Sequence, residues 1–225
     1  MQPALFDTWT DRYDSWFSTP VGRLVKRYET DLLLALLDPR PGERLLDAGC
    51  GNGIFTVDIL ARGALVTGID LSVSMLTGAI GRLVDGCFAA LCADICALPF
   101  ADHSFDKVFS MTAIDFIADG GKAMAELDRV VRPGGRVVVT TLNSLGPWAE
   151  QRRRKGAAGH DLFAKIHFRS PKAMRAIAPG ARVEAVTAIH FRKDESPEAI
   201  PEIERRGREQ GLDTGAFVAV LWDKA

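Results

Sequence analysis

Residues 44–53 read R-L-L-D-A-G-C-G-N-G, from Arg44 to Gly53. A short apolar run ends at Asp47, glycines follow at positions 49, 51 and 53, and an amphipathic run begins at Ile54. This order is typical of a strand, a tight turn and a helix. Glycines permit positive φ angles and leave no Cβ to obstruct a ligand, and the helix that follows directs its free N–H groups towards that ligand. The stretch therefore predicts a ligand-binding turn.

A second strand is predicted at residues 65–69, L-V-T-G-I, and it ends at Asp70. An acid at the tip of the second strand, roughly 20 residues past the glycines, is placed to accept hydrogen bonds from ribose hydroxyls. The two stretches together predict a βαβ unit that binds a nucleoside. A dinucleotide-binding turn carries Gly or Ala where this chain has Ile54, and Asp47 would repel a pyrophosphate but suits a cationic amino-acid ligand.

The pattern D-x-G-x-G-x-G from Asp47 resembles the S-adenosylmethionine site of the class I methyltransferases, in particular the small-molecule, type 11-like family and the methyltransferases of ubiquinone and menaquinone biosynthesis. The resemblance extends over about residues 13–139 and includes F-D at 105–106 and R-P-G-G at 132–135. It implies an α/β fold with a Rossmann-like seven-stranded sheet in the order 3-2-1-4-5-7-6, strand 7 antiparallel, helices on both faces and an N-terminal helical lid. It also implies S-adenosylmethionine as the cofactor and S-adenosylhomocysteine as the product.

The same resemblance implies a set of cofactor contacts. The glycine turn would wrap the methionine part, Asp70 would hold the ribose, and Asp94 would accept from the adenine amine. Leu71 and Met75 would lie near the adenine, and the equally weighted alternative is that both are ordinary core residues. The alternative for the aromatic N-terminal helix is packing on the sheet edge. The implied cofactor-binding residues are Tyr13, Asp47, Gly49, Cys50, Gly51, Gly53, Asp70, Leu71, Met75, Asp94, Ile95, Ser110 and Met111.

Catalysis by methyl transfer needs few acid–base residues. A sulfonium is already an activated leaving group, so the protein has to align the nucleophile, methyl group and sulfur in a dry pocket. A base becomes useful when the nucleophile carries a proton, and Asp115, His160 and His167 are the candidates. Each histidine is also open to a surface or packing role.

No metal site is expected, because the cysteines at 50, 87, 92 and 96 lack C-x2-C spacing and no histidine lies near the last three. Cys92 and Cys96 are interpreted as small apolar residues at a buried strand end. The basic run at residues 152–155 is interpreted as a solvated helix face, with an anion site as the alternative.

Composition limits the partners. The chain has 28 basic and 29 acidic residues, which argues against electrostatically driven nucleic-acid binding. The sequence contains no run of about 18 apolar residues, so no membrane span is predicted, and the N-terminus lacks a secretion signal. A cytoplasmic location is therefore expected. We expect a monomer or a homodimer. We expect one domain over residues 1–225: a helical lid at 1–38, a cofactor-binding core at 40–142, an acceptor-side insert at 143–180 and C-terminal strands at 181–225.

The function predicted from the sequence is methyl transfer from S-adenosylmethionine to a small-molecule acceptor. One alternative is a non-catalytic scaffold or sensor that binds S-adenosylmethionine with the same fold. Another is a nicotinamide-dependent oxidoreductase, which Ile54 and the lack of a Tyr-x-x-x-Lys pair disfavour.

Overall fold

Seven strands form one mixed sheet in a computed structural model that describes residues 5–7, 9–83 and 86–225, with residues 10–13 described by their backbone alone. The strands are β1 (Arg44–Ala48), β2 (Leu65–Asp70), β3 (Phe88–Cys92), β4 (Phe105–Ser110), β5 (Val131–Leu142), β6 (Glu184–Ala188) and β7 (Phe217–Asp223). Their order is β3-β2-β1-β4-β5-β7-β6. Strand β7 runs antiparallel to β5 and β6, and the remaining neighbours are parallel. The predicted sheet is confirmed in strand order and direction.

The helices of the described residues are α1 (Thr10–Phe17), α2 (Pro20–Leu37), α3 (Thr56–Leu60), α4 (Val73–Arg82), α5 (Gly120–Val130), α6 (Ala149–Ala157), α7 (Pro171–Ile177) and α8 (Ile200–Glu209). Local sequence explains several of their ends. Thr19 caps α2 by accepting from the Gly22 N–H, and Ser72 caps α4 by accepting from the Met75 N–H. No helix among these is long and apolar enough to cross a membrane.

Helices cover both faces of the sheet, and β5 shows why. Val137 and Val139 pack in one core cluster with Met124 of α5, whereas Val138 packs in a second cluster with Leu33 of α2. Successive residues of a strand point to opposite faces, so a continuous valine run requires apolar partners on both sides. This arrangement leaves the carboxyl ends of the central parallel strands as the place for a ligand.

Two local predictions are wrong. Cys92 is exposed and Cys96 is only half-buried, because β3 is the outermost strand and pairs with β2 alone. Strand β6 lies within the C-terminal strands expected at 181–225 and spans only Glu184–Ala188. It ends there because Ile189 has a φ of 64°, which takes the backbone out of the extended conformation.

Candidate cofactor and acceptor site

The carboxyl ends of β1, β2 and β4 open into a cavity of about 340 Å³. Strand β1 lies between β2 and β4, so this is the point where the strand order reverses, and ligands of open α/β sheets bind at such a point. The structure brings eight of the residues predicted from sequence into the lining of this cavity: Asp47, Gly49, Cys50, Gly51, Asp70, Met75, Met111 and Asp115.

The glycine turn is anchored to the end of β2 and open towards the cavity. The N–H groups of Gly49 and Cys50 both donate to the Ile69 carbonyl, at 2.8 and 2.9 Å. Gly49 has a φ of 79°, and a Cβ at this position would lie 2.2 Å from the Ala113 Cβ. Gly51 has a φ of 53°, and a Cβ there would meet no atom within 4 Å. Gly51 is therefore the position at which a ligand can approach the backbone closely.

Asp70 connects the turn to the start of α4. One carboxylate oxygen accepts from the Gly51 N–H at 3.0 Å, and the other accepts from the Ser72 N–H at 2.9 Å. Burial raises the pKa of Asp70, while these backbone hydrogen bonds act in the opposite direction. Two carboxylate oxygens offer about four acceptor positions, so capacity remains for a further donor such as a ribose hydroxyl.

Asp47 carries a buried oxygen that the fold leaves unsatisfied. Its Oδ2 accepts from the Thr56 hydroxyl at 2.6 Å, whereas its Oδ1 is buried without a hydrogen-bond partner among the described residues. Burial raises the pKa of Asp47 to about 7, against the effect of the Thr56 hydrogen bond. A buried, unsatisfied carboxylate oxygen is costly until a donor reaches it. The ammonium group of a bound amino acid fits this position, so the donor set suits S-adenosylmethionine.

Five predicted cofactor residues with described side chains are absent from the lining of the cavity. Leu71 is 61% exposed, and Ile95 is buried in the core under the sheet. Asp94 caps a 3₁₀ turn by accepting from the Cys96 N–H, and the Ser110 hydroxyl donates to the Ala48 carbonyl. The fifth is Gly53, whose added Cβ would lie 2.8 Å from Leu83.

The N-terminal segment covers one side of the cavity with aromatic rings. Tyr13 lies in α1, and its side chain lies outside the described residues. The aromatic side chains that line the cavity from this segment are Phe6, Trp9, Trp16 and Phe17. The position of the segment agrees with the expected lid, although the role of Tyr13 stays a prediction.

A polar cluster of Asp14, Asn52 and Arg82 attaches α1 to the glycine turn. Asp14 accepts from the Asn52 amide at 2.8 Å and from the Arg82 guanidinium at 2.7 Å. Arg82 also donates to the Asn52 carbonyl at 3.0 Å. The sequence did not predict this cluster, because Asn52 and Arg82 are distant from Asp14 along the chain.

The three candidate bases occupy different environments. Asp115 lies in a 3₁₀ helix, Ala113–Phe116, is fully buried, and accepts from the Thr141 hydroxyl and the Leu142 N–H. Burial raises its pKa to about 7, against those hydrogen bonds. His160 stacks on Phe163 with ring centroids 4.3 Å apart, and His167 is exposed. Of these three side chains, Asp115 is the one that lines the cavity.

Three further charged residues line the cavity: Glu29, Arg152 and Lys193. The sequence did not single out Glu29 or Lys193, and Arg152 belongs to the basic run that was interpreted as a solvated helix face with an anion site as the alternative. Burial raises the pKa of Glu29 to about 8 and lowers that of Arg152 to about 10. Burial, followed by the charge of Arg152, lowers the pKa of Lys193 to about 8. One signal could have found Glu29, because it interrupts the apolar face formed by Val25 and Leu33 of α2.

The sheet order and the glycine turn at its switch point define the class I, Rossmann-like methyltransferase architecture. A SAM-dependent methyltransferase of Thermotoga maritima, described as a possible histamine N-methyltransferase, superimposes with a TM-score of 0.75 over 98% of this chain and 99% of that one, at 23% identity. Phosphoethanolamine N-methyltransferase 2 of Haemonchus contortus, solved with S-adenosylmethionine, superimposes with a TM-score of 0.66 over 96% of this chain and 60% of that one, at 19% identity.

Sequence comparison finds one matching family. Residues 46–139 match the family described as "Methyltransferase domain". A malonyl-[acyl-carrier protein] O-methyltransferase of Pseudescherichia vulneris is 45% identical over 53% of this chain and 47% of that protein. A demethylmenaquinone methyltransferase of Beutenbergia cavernae is 37% identical over 65% of this chain and 59% of that protein. The chain spans about half the length of the curated relatives it matches.

Proposed function

We propose that this protein transfers a methyl group from S-adenosylmethionine to a small organic acceptor. The observation that carries the proposal is one continuous cavity whose lining includes the glycine turn, Asp70 and the buried Asp115. A cofactor subsite and a candidate base thus share one enclosed space. The family match of residues 46–139 supports the same reaction class.

The cofactor is assigned to the glycine-turn side of the cavity. Asp47 would accept from the ammonium group through its unsatisfied Oδ1, Gly51 would allow the close approach of the methionine part, and Asp70 would accept from the ribose hydroxyls. Asp94, outside the cavity lining, is the residue we assign to the adenine amine. When bound, S-adenosylmethionine supplies a methyl group on a positively charged sulfur.

The chain's own contribution to the transfer is exclusion of water and acceptance of a proton. Aromatic side chains of the N-terminal segment line the cavity and would exclude water around a bound ligand, which strengthens alignment and electrostatic interactions there. Asp115 would take the proton from a protonated nucleophile as the bond to the methyl group forms. A base whose pKa is raised to about 7 is well matched to this task near neutral pH.

The division of the chain follows from the same assignment. We assign residues 1–38 to a lid, 40–142 to the cofactor core and 143–180 to the acceptor side of a single domain, with the C-terminal strands at 181–225. Relatives are named for a malonyl group on acyl-carrier protein and for demethylmenaquinone, so the choice of acceptor depends on this chain's own cavity.

Calorimetry with S-adenosylhomocysteine tests the proposal, with NADH as the comparison ligand. We expect saturable binding of S-adenosylhomocysteine below about 0.5 mM and none of NADH. A release assay for S-adenosylhomocysteine over a panel of small acceptors then separates an enzyme from a scaffold or sensor. Asp115→Asn is the matched control, expected to bind the nucleoside but to lose turnover. Absence of heat in the first experiment would contradict the proposal.

A further inference from the structure

The cavity has a charged and aromatic wall that the glycine turn does not contribute to. We define this acceptor wall by Glu29 of α2, Trp16 of α1, Trp148 and Arg152 at the start of α6, and Lys193 beyond β6. Trp148 is 3% exposed and is fixed in place because its indole N–H donates to the Phe191 carbonyl at 2.8 Å. The wall is therefore a built surface of the cavity.

Arg152 differs from the three basic residues that follow it. Arg153, Arg154 and Lys155 are exposed, and Arg154 pairs with Glu150 one turn earlier. Arg152 lines the cavity, and its Nε is fully buried with no hydrogen-bond partner among the described residues. The residue as a whole is half-buried, and a partly desolvated guanidinium without a paired counter-ion is costly. An anion that enters the cavity offsets this cost.

Lys193 places a second cation beside the Trp148 ring, next to Arg152. Its Nζ lies 4.8 Å from the Trp148 ring centroid and 5.0 Å from that of Trp16. The Arg152 guanidinium carbon lies 5.2 Å from the Trp148 centroid. Two positive groups beside one indole repel each other, so an anion near both lowers the energy of the pair.

The acids nearby do not fully compensate these cations. Glu29 is the one acid of the wall as defined, against two cations, and burial raises the pKa of Glu29 to about 8 and that of Asp115 to about 7. None of the ion pairs between described residues contains Arg152, which places these carboxylates beyond direct pairing distance. The acceptor wall is therefore net positive when the cavity is empty of ligand.

We infer that the methyl acceptor is an organic carboxylate with an apolar or aromatic body, anchored by Arg152 and lying against Trp16 and Trp148. A planar carboxylate matches the guanidinium fork, and an indole surface matches an apolar body. A carboxylate held by a guanidinium has its lone pairs engaged, so it serves as an anchor and a different atom of the acceptor receives the methyl group. This inference rests on the proposed function.

The cofactor's own carboxylate is the other source of the same chemistry. The charges of Asp115 and Glu29 raise the pKa of Arg152, so these two acids are its charged neighbours. Asp47 and Asp70 instead lie together at the glycine turn. This separation favours the acceptor. The affinity for S-adenosylhomocysteine distinguishes the two sources, because it depends on Arg152 only if the cofactor's carboxylate is the ligand.

The experiment measures quenching of tryptophan fluorescence with S-adenosylhomocysteine at saturation. The probes are phenylacetate, phenylacetamide, phenyl phosphate and phenethylamine, which share a ring and differ in charge. The variants are Arg152→Gln, Lys193→Gln and the matched control Arg154→Gln, whose side chain is exposed on the same helix. Thermal melting and calorimetry with S-adenosylhomocysteine report folding and cofactor binding of each variant.

We expect phenylacetate to bind about 10- to 100-fold more tightly than phenylacetamide, as for a hydrogen bond to a charged group. Arg152→Gln removes this preference, Lys193→Gln reduces it, and Arg154→Gln retains it. Three outcomes overturn the inference: the protein prefers phenyl phosphate to phenylacetate, it prefers phenethylamine, or it responds to no carboxylate.

The controls separate the two levels of the proposal. Arg152→Gln should bind S-adenosylhomocysteine within about 3-fold of the unmodified protein, and a loss beyond about 10-fold assigns Arg152 to the cofactor and overturns the inference. If Arg152→Gln does not fold, Lys193→Gln decides through the same carboxylate-to-amide ratio. If the unmodified protein does not bind S-adenosylhomocysteine at all, the proposed function is contradicted. If it binds S-adenosylhomocysteine but shows no preference for the carboxylate probe, the inference alone is contradicted.

Discussion

Replacing Asp70 with alanine tests the assignment of the nucleoside subsite. Asp70 is the acid at the end of β2, and it already accepts from the N–H groups of Gly51 and Ser72 at 3.0 and 2.9 Å. Asp70 also lines the cavity, and its carboxylate keeps acceptor capacity for ribose hydroxyls there. Asp70→Ala therefore removes the acceptors for the ribose and also releases the backbone of the turn.

The expected magnitude follows from these contacts. A hydrogen bond to a charged group contributes about 1.5–3 kcal/mol, so the loss of two to the ribose hydroxyls, moderated by water entering the site, amounts to about 3 kcal/mol. At 1.4 kcal/mol for each factor of ten, affinity for S-adenosylhomocysteine falls about 100-fold. Asp70→Asn keeps one acceptor oxygen and should lie between alanine and the unmodified protein.

Isothermal calorimetry at 25 °C measures this loss, and Asp119→Ala is the matched control. Asp119 caps α5 by accepting from the Lys122 N–H at 3.0 Å and does not line the cavity. Loss of such a cap costs about 1 kcal/mol of stability, and nucleoside affinity should not change. An Asp70→Ala variant that melts cooperatively and binds within about 3-fold of the unmodified protein would refute the reasoning.

Three further predictions address the lid, the glycine turn and the base. Asp14→Asn removes the half-exposed ion pair with Arg82, so the affinity for S-adenosylhomocysteine should fall by about 5-fold. The control is Asp31→Asn on the exposed surface of α2, which should leave the affinity unchanged in the same titration. Asp47 has a folded pKa raised from 3.8 to about 7, so its contribution to stability is present below pH 4 and lost as pH rises to about 7. Asp47→Asn should therefore raise the melting temperature of the ligand-free protein at pH 8 but not at pH 4, and equal effects at both would contradict this. With an acceptor identified, kcat/KM should rise with pH through about 7 as Asp115 ionises, and Asp115→Asn should lower it by about 10²-fold or more and abolish that rise.

The cofactor side of the site was readable from local sequence. Positive φ at Gly49 and Gly51, the acid at the end of β2 and the cap at Ser72 each depend on a few neighbouring residues, so their patterns predict their geometry. The strand order was predicted from the resemblance to class I methyltransferases, because that family combines this glycine turn and these strand ends with one sheet order. Asp70 and Asp47 accordingly line one cavity, and their contacts with a cofactor stay predictions.

The acceptor side was not readable in this way. Four successive basic residues begin at Arg152 and look alike in sequence, yet Arg152 lines the cavity and is half-buried whereas the three that follow are exposed, and the placement of α6 against the rest of the cavity decides this difference. Cys92 was expected to be buried, but its strand has one neighbour, and the number of neighbours is a property of the whole sheet.

The sequence by itself determined the turn, the acids that follow the strands and the class of fold, because backbone conformation and strand ends respond to adjacent residues. Tertiary structure alone decided which charges face the cavity. Burial and pairing depend on segments brought together from residues 29, 115, 152 and 193, and no local pattern carries that information. The predicted choice of acceptor therefore depends on contacts between distant parts of the chain.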